Sequence, residues 1–399
     1  MNLINLLRPK STATKKSTVI QLEQQTQLLA KKDIGDWRKA WQQAIDIENP
    51  RRSSLYAIYL DTLIDNHLSG SIEQRKAMTL QKAFNIKNKD GEDLPDLTAI
   101  FERTWFKDLM SLALDSRFWG HSLIQLGDVR QVGNIRYFAD VQLVPRHHVV
   151  PEYGVILNNP SDDIKQGYPY REGDLAKWCI EAGSRYDLGL LLKVTPQAIS
   201  KKYMLTFWDQ FGEVFGMPIR IAKTISRDEN ERRRIFNMLE KMGAKAYGVF
   251  QEGTEIEIKE TSRGDAYNVY DKRIDRANSE MSKVILGQTM TLEDGSSKAQ
   301  GEVHLDVLKN IVNRDADFIR DIVNGTLIPL MIEQHGFALS GCSFEWDEAV
   351  DYTPEEQVRI EEMICSQFDI DPEYFQQKYS IPITGKKVTN VPPMKGFFD

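Results

Sequence analysis

The sequence predicts an α+β fold, and three features of its hydrophobic patterning lead there. Apolar residues recur at three and four from Trp37 to Phe118. The period drops to two beyond Gly120, and long helical patterns return from Lys202 on either side of a short strand-bearing insert. At 399 residues the chain exceeds the size at which a single core stops growing, so two or three subdomains are expected.

Residues 1–36 are rich in Lys, Gln, Ser and Thr with little to anchor a core, and read as a flexible basic arm. From 37 to 199 a helical layer precedes a strand layer. Trp37, Trp41 and Ile45, then Leu55, Ile58, Tyr59 and Leu63, mark two helices broken at Pro50. Ile100, Phe101, Trp105, Leu109 and Leu112 mark another over 97–118, with a polar loop and small strand pair expected around 85–96. Residues 122–126 and 135–138 read as strands joined through Gly133-Asn134, and 141–144 continues the sheet. Residues 154–173 are turn-rich, and 190–194 reads as one more short strand.

A helix over 200–216, with Tyr203, Phe207, Trp208, Phe211 and Phe215, is too aromatic to be left in water. Residues 217–262 form a compact insert: a strand at 217–221, a charged helix at 227–242, and a hairpin of 246–250 with 255–258 across Glu252-Gly253. The helix over 263–287 has the sharpest periodicity, with Tyr267, Tyr270, Ile274, Ala277, Met281 and Val284 spaced three, four, three, four and three. So narrow a seam suits contact between helices rather than burial in a globular core. A loop over 288–300 follows. Residues 301–350 then hold a long helix with Leu305, Leu308, Val312, Ile319, Ile322 and Val323 on one side, ending near Gly325 and resuming toward Pro329. Residues 351–399 hold one more helix, near 355–368, and a Pro-, Gly- and Lys-bearing tail.

With 41% apolar and 27% charged residues the composition is that of an ordinary soluble chain. No apolar run approaches the ~20 residues that cross a bilayer, and residues 1–16 lack the apolar core of a signal peptide, so a place inside a cell is expected. Cys179, Cys342 and Cys365 cannot all pair with one another and lack metal-finger spacing, which makes buried free thiols the expectation. The sequon at Asn324 falls within a helix-like apolar run and is discounted. A net charge of −7 argues against gripping nucleic acid by bulk positive charge. It is compatible with letting nucleic acid pass.

Candidate chemistry is thin. A P-loop needs lysine directly after its second glycine, but Gly295 is followed by Ser296, and Glu293 and Asp294 would repel a phosphate. Ser296, Ser297 and Lys298 resemble a serine/lysine pair, yet a usable lysine base must be desolvated, and a Gly/Ser loop offers exposure. His121, His147 and His148 are the only candidate metal cluster, without the i, i+4 helical spacing that would bring two of them together. The acidic pairs Asp162-Asp163 and Glu355-Glu356 fit a turn and a helix start after Thr353 and Pro354 better than a two-carboxylate site. The aromatic face of 203–215 has few cations with which to bind bases and fits a protein contact. Good helices, an inserted unit, a Gly/Ser loop and no catalytic constellation describe an assembly component.

The stretches "FGEVFGMPIRI" (211–221), "SKVILGQTMT" (282–291) and "GEVHLDVLKNIVNRDADFIRDIVNGTLIPLMIEQHG" (301–336) resemble the portal proteins of Mu-like tailed phages. In that family a Phe-Gly-Met-Pro turn, an Ile-Leu-Gly-Gln-Thr helix end, a Gly/Ser loop, a Val-His element and a Pro-containing helix follow in the same order. The likeness begins near Trp37 and continues into "FDIDPEYFQQKYSIP" (368–382), which resembles the family's closing helix; the acidic Glu293-Asp294 departs from the pattern.

The resemblance implies a portal-type α+β fold and a homo-oligomeric ring, typically a dodecamer, at one capsid vertex of the virion, assembled in the host cytoplasm. Double-stranded DNA would enter during packaging and leave at ejection, with no enzyme activity and no cofactor in this chain. The partners implied are the terminase large subunit, the major capsid and scaffold proteins and a head-tail adaptor, with no membrane. By order, 37–199 and 301–350 would be wing, the latter on the crown side. Residues 200–216 and 263–287 would be stem helices, 217–262 the clip and 288–300 the tunnel loop. Thr289, Glu293, Asp294, Gly295, Ser296, Ser297 and Lys298 would face the DNA channel, their carboxylates repelling duplex phosphates. Phe207, Trp208, Phe211, Tyr270, Ile274 and Met281 would pack subunits together at the stem. Two other readings of the residues stand beside this: a metal-dependent hydrolase or nuclease centred on the three histidines, and a DNA-binding adaptor.

Overall fold

The computed structural model describes residues 33–133, 135–215, 219–223, 228–241, 255–259, 264–289, 298–347, 354–368 and 370–379. The chain divides into two units, Met1–Asp347 and Glu348–Asp399. The arm over 1–32, the expected strand at 246–250, the acidic Gly/Ser stretch over 290–297 and the tail from 380 lie outside the described residues.

Helix α1 (Ile34–Ala44) starts where Asp33 accepts the amide of Asp36 at 2.8 Å, satisfying one of the orphan donors of a helix start. Pro50 separates it from α2 (Ser53–Thr62), with Asp46 turning the chain by accepting the amides of Glu48 and Asn49. The next helix, α3 (Asn66–Leu80), is capped by Asp65 and has no counterpart among the expected helices. Its covered face is mixed: Leu68 and Ile72 are buried beside Ser71, Arg75, Lys76 and Thr79, and two apolar residues do not make a sustained helical period.

Strand β1 (Phe84–Lys87) precedes α4 (Pro95–Phe101) and α5 (Thr104–Trp119), which divide at Glu102-Arg103 the single helix expected over 97–118. Helix α5 stops at Gly120, whose φ is +89° and whose Cα lies so near the Asp187 carbonyl that a Cβ would collide with it. There follow β2 (His121–Leu126), β3 (Val129–Val132), β4 (Ile135–Phe138), β5 (Val141–Leu143), β6 (Val149–Val150), β7 (Val155–Ile156), β8 (Tyr168–Pro169) and β9 (Cys179–Gly183). An antiparallel sheet runs in the order β5-β2-β9, with Ile124 opposite both Leu143 and Ile180, and β6, β7 and β8 form a small antiparallel set. Gly133 lies between paired strands as expected, but the partner of 135–138 is β3 and not 122–126.

The apolar run over 190–194 is a helix and not the expected strand. Helix α6 (Leu191–Phe215) begins inside it, with Leu191, Val194 and Ala198 buried at helical spacing and Pro196 in the second turn. Beyond α6, β10 (Ile219–Lys223), α7 (Glu229–Lys241) and β11 (Glu255–Lys259) form the insert, β10 and β11 pairing antiparallel. Helices α8 (Gly264–Leu286) and α9 (Lys298–Ile322) come next, and α9 passes through a π-helical turn (Val323–Leu327) into α10 (Ile328–Glu333). Pro329, with no amide to donate back along the helix, sits just past that turn. Strand β12 (Ser343–Trp346) pairs with β1, Ile86 opposite Phe344, where a local pair was expected; only a Lys87–Asp93 bridge exists within 85–96. Asn324 in the π turn holds β12 from its other side, bonding to the carbonyl and amide of Phe344 at 2.9 and 2.7 Å. In the second unit α11 (Pro354–Gln367) and α12 (Pro372–Tyr379) are joined through Glu361, which receives Lys378 at 2.5 Å and the Tyr379 hydroxyl at 2.6 Å.

Two hydrophobic clusters organise the first unit. One unites α4, α5, the β5-β2-β9 sheet, β12, α10 and the later part of α9; the other unites α1, α2, Leu68 and Ile72 of α3, the start of α6, the end of α8 and Leu308 and Val312 of α9. Where α9 passes between them stands Asp315, which is buried. It accepts Arg75 Nε and Nη2 at 2.6 and 2.9 Å and Arg117 Nε at 3.2 Å, while Arg75 Nη1 donates to the carbonyl of Ile285 at 2.8 Å. The cysteines are free but less buried than expected: Cys179 and Cys342 are half-buried and Cys365 is exposed. Among the described residues no helix is long and apolar enough to cross a membrane.

Asp315→Ala strands the buried Arg75 guanidinium without a counterion and should lower unfolding free energy by about 3–5 kcal/mol in urea. A loss within the ordinary range of surface substitutions would show that water replaces the carboxylate.

Candidate functional site

The connection between α8 and α9 is the candidate site, and the end of α8 that leads into it is described through Thr289. Helix α9 begins at Lys298, so the expected loop over 288–300 is shorter at its far end and Lys298 belongs to the helix. At the near end Gly287 has φ +73°, and a Cβ there would stand 2.6 Å from Ile311 Cδ1 and 3.0 Å from Val307 Cγ1. Glycine is thus required twice, by backbone angle and by space. Gln288 is buried and Thr289 half-buried, so the chain is still covered two residues past the helix. Met281, Ile285 and Leu286 pack in one cluster with Leu308 and Val312, and Ser282, also buried, lies 2.7 Å from His67 Nε2. Glu293, Asp294, Gly295, Ser296 and Ser297 lie outside the described residues.

The seam on α8 meets a helix within the same chain. α8 packs chiefly along α6, and Arg273 Nη2 reaches Gln197 Oε1 at 3.1 Å and Ser200 Oγ at 2.9 Å on that helix. Ile274 and Ala277 are buried, Met281 is fully buried, and Ile285 rather than Val284 continues the line into the core. The seam is thus a helix-to-helix contact, as expected, but one made within the chain, and from Met281 onward it joins a hydrophobic core; Ile274 and Met281 are buried without a second copy. Tyr270 is half-buried. On α6, Trp208 is half-buried, while Leu205 and Phe207 stay exposed and Tyr203 stacks on Phe207 with ring centroids 6.5 Å apart. The side chain of Phe211 lies outside the described residues. Lys202 pairs with Asp61 and Lys201 with Asp65, fastening α6 to the end of α2 and the start of α3.

A family model described as the portal protein of Mu bacteriophage matches residues 56–381. The chain belongs to the Mu phage portal protein family. It is 25% identical over 281 residues to the Mu-like prophage FluMu protein gp29 of Haemophilus influenzae, covering 65% of this chain and 54% of that protein. It is also 25% identical over 318 residues to the portal protein of Escherichia phage Mu, covering 72% of this chain and 60% of that one. The chain thus spans little more than half the length of these relatives. In fold it is similar to a chain from the neck of a native GTA particle computed with C12 symmetry, at TM-score 0.51 and 10% identity, covering 88% of this chain and 100% of the other.

In this portal-family chain His121 and His148 make hydrogen bonds, and the His147 ring packs against His148 with centroids 4.4 Å apart. His121 of β2 is buried and its Nε2 lies 2.9 Å from Glu181, which also receives the Tyr170 hydroxyl at 2.9 Å and two bonds from Arg171 at 2.9 and 2.6 Å. Burial alone would raise the Glu181 carboxyl; the bonds from His121, Arg171 and Tyr170 outweigh it and hold it at about 2. His148 Nδ1 donates to the Leu157 carbonyl at 2.8 Å. Among the described residues no three His, Cys, Asp or Glu side chains gather as a metal site would need. Of the expected acid pairs, Asp162 and Asp163 accept local amides in a turn, as read from the sequence. The residue that sequence reasoning passed over is Asp315. A signal existed: it falls between Val312 and Ile319 on an apolar face, where a charge implies a buried partner.

Gly287→Ala should destabilise the portal-family chain by roughly 1–3 kcal/mol. Gly325→Ala, with nothing within 4 Å of its Cβ, should shift thermal unfolding little; equal shifts would remove the steric argument. Burial, opposed by the bond to Glu181, holds His121 below its ordinary 6.5. The unfolded chain then takes up that proton first, so stability falls as pH drops through 6.5. The urea midpoint should be lower at about pH 5.5 than at about pH 7.5, and His121→Gln should shrink the difference.

Proposed function

We propose that this chain is a portal protein whose identical copies close into a ring, a dodecamer, around a channel for double-stranded DNA at one capsid vertex of the virion, after assembly in the host cytoplasm. The carrying observation is the family match over 56–381, which runs from α2 through α12. The C12 symmetry named for the GTA neck, whose chain has a similar fold, supports twelve copies. Each copy would meet its neighbour through two different surfaces, the arrangement that closes a ring. Helices α6 and α8 are the stem and 217–262 the clip, on which the terminase large subunit docks to supply the force that this chain does not. The wing contacts major capsid and scaffold proteins, and a head-tail adaptor completes the exit path.

At the stem, exposed Phe207 and half-buried Trp208 and Tyr270, with Phe211, are the side chains we assign to subunit packing. The connection from Thr289 through Glu293, Asp294, Gly295, Ser296 and Ser297 to Lys298 is the tunnel loop. Its carboxylates keep a sliding duplex from shedding counterions onto the wall, which would bind and stall it.

Negative-stain images of the purified chain should show annuli with an axial hole, and solitary particles would overturn the ring. Deleting 293–297 should leave the annuli intact and impair DNA packaging or retention. Normal packaging by that variant would reject the loop's role and leave the ring standing.

A further inference from the structure

The β5-β2-β9 sheet ends at β9, and its ladder shows which backbone groups are left over. The amides of Val144 and Gly127 donate to the carbonyls of Leu123 and Asp140, both at 2.9 Å, while those of Leu126 and Ser184 donate to Trp178 and Gly120 at 2.7 and 3.2 Å. Odd positions of β2 therefore bond to β5 and even ones to β9. On β9 this leaves the N–H and C=O of Cys179 and Glu181 pointing away from the sheet, without a backbone partner among the described residues.

Folded chains ordinarily cover or blunt such an edge. Here it lies along an open slot of about 770 Å³ that Cys179 and Glu181 line. On one face of β9, Ile180 and Ala182 pack with Leu327 and Met331; on the other, Glu181 bonds to Tyr170 and Arg171. The π turn and α10 thus flank the edge on one side and Tyr170 and Arg171 on the other, and residues of each line the slot. Donors and acceptors that alternate along an edge, with residues of like orientation about 6.8 Å apart, are matched by an extended polypeptide backbone.

The chain carries a second unpaired edge of the same size. In the β3-β4 ribbon the Ala139 amide donates to the Asp128 carbonyl at 2.8 Å, so the backbone groups of Arg130 and Val132 face β4 and those of Val129 and Gln131 face outward. Arg136 fastens β4 to the carbonyls of His335 and Gly336, both at 2.7 Å, while Arg130, Gln131 and Val132 of β3 are exposed. No described residue of the ribbon lines the slot of its own chain.

We propose that β3 of one copy pairs antiparallel with β9 of the next, Val129 opposite Glu181 and Gln131 opposite Cys179, so that two sheets join across the subunit boundary. In that register Arg130 stands opposite Ile180, and facing side chains of an antiparallel pair lie on one side of the sheet. That side is the one bearing α10, where exposed Glu333 lines the slot. Neither Arg130 nor Glu333 has a partner among the described residues of its own chain, and their charges are opposite. Each copy uses its slot toward one neighbour and its ribbon toward the other, the heterologous contact that closes a ring. The interface rests on the ring proposed above and adds which edges close it.

Hydrogen exchange on assembled annuli and on the unassembled full chain tests it. The amides of Val129, Gln131, Cys179 and Glu181 should exchange about tenfold or more slowly in the annuli. Arg130→Glu and Glu333→Arg, both at exposed positions, should each raise the concentration needed for half-assembly roughly fivefold in sedimentation, and the double variant should bring it back. Annuli whose four amides exchange as fast as in the free chain, or a double variant no better than either single one, would reject this interface and leave the ring standing. Solitary particles alone would overturn both. Slowing seen only after another protein is added would put a different strand in the slot and exclude β3.

Discussion

The Arg75 guanidinium is almost wholly shielded from water, and everything it touches belongs to a different helix. Its fork meets both oxygens of Asp315 on α9, its remaining nitrogen meets the Ile285 carbonyl at the end of α8, and its face lies 5.5 Å from the Phe118 ring of α5. Arg117 of α5 shares the same carboxylate. A buried pair of this kind contributes little net stability against an apolar replacement, because two charges must be taken from water. What it supplies is registry. Asp315 can satisfy two guanidinium groups only when α3, α5 and α9 stand at one height relative to one another, and the Ile285 contact sets the end of α8 against them. The two hydrophobic clusters that α9 joins are non-directional and would tolerate sliding; the ion pair does not.

That registry bears directly on the connection between α8 and α9. Its near root, the end of α8, is packed into the cluster that the ion pair locks, and Leu308 and Val312 of α9 join the same cluster. Helices α6 and α8 extend from the same cluster, with Arg273 and the Lys202–Asp61 and Lys201–Asp65 pairs fastening α6 to its neighbours. Past those fastenings α6 carries its exposed Leu205 and Phe207.

What could be read from the sequence followed the apolar period. Helices α8 and α9 were legible because Ile274, Ala277 and Met281, and Leu308, Val312 and Ile319, are apolar residues buried at helical spacing. Helix α3 was not, because beside Leu68 and Ile72 it buries Ser71, Arg75, Lys76 and Thr79, and the ionic partners of Arg75 and Lys76 come from elsewhere in the chain. The run over 190–194 satisfies a strand and a helix equally within five residues, and only Ala198, beyond Pro196, decides between them. Pairing of β1 with β12 joins positions some 260 residues apart, and no local pattern encodes that choice. The order of stem, insert and connection came from motif resemblance, and the α8 seam shows the limit of spacing alone: an a/d pattern states that a helix is met, not which one.

Three features meet at the end of α8. Gly287 takes the left-handed conformation that terminates a helix. Val307 and Ile311 fill the space that any side chain at 287 would need. Arg75 bonds to one of the last carbonyls of α8, and a cation at that end also suits the helix dipole. Of these, the left-handed angle ends the helix, while the packing favours glycine at that point and the Arg75 bond satisfies a terminal carbonyl. Gln288 remains covered after it. The described part of the connection, from Gly287 through Thr289, is thus held against the core of the first unit.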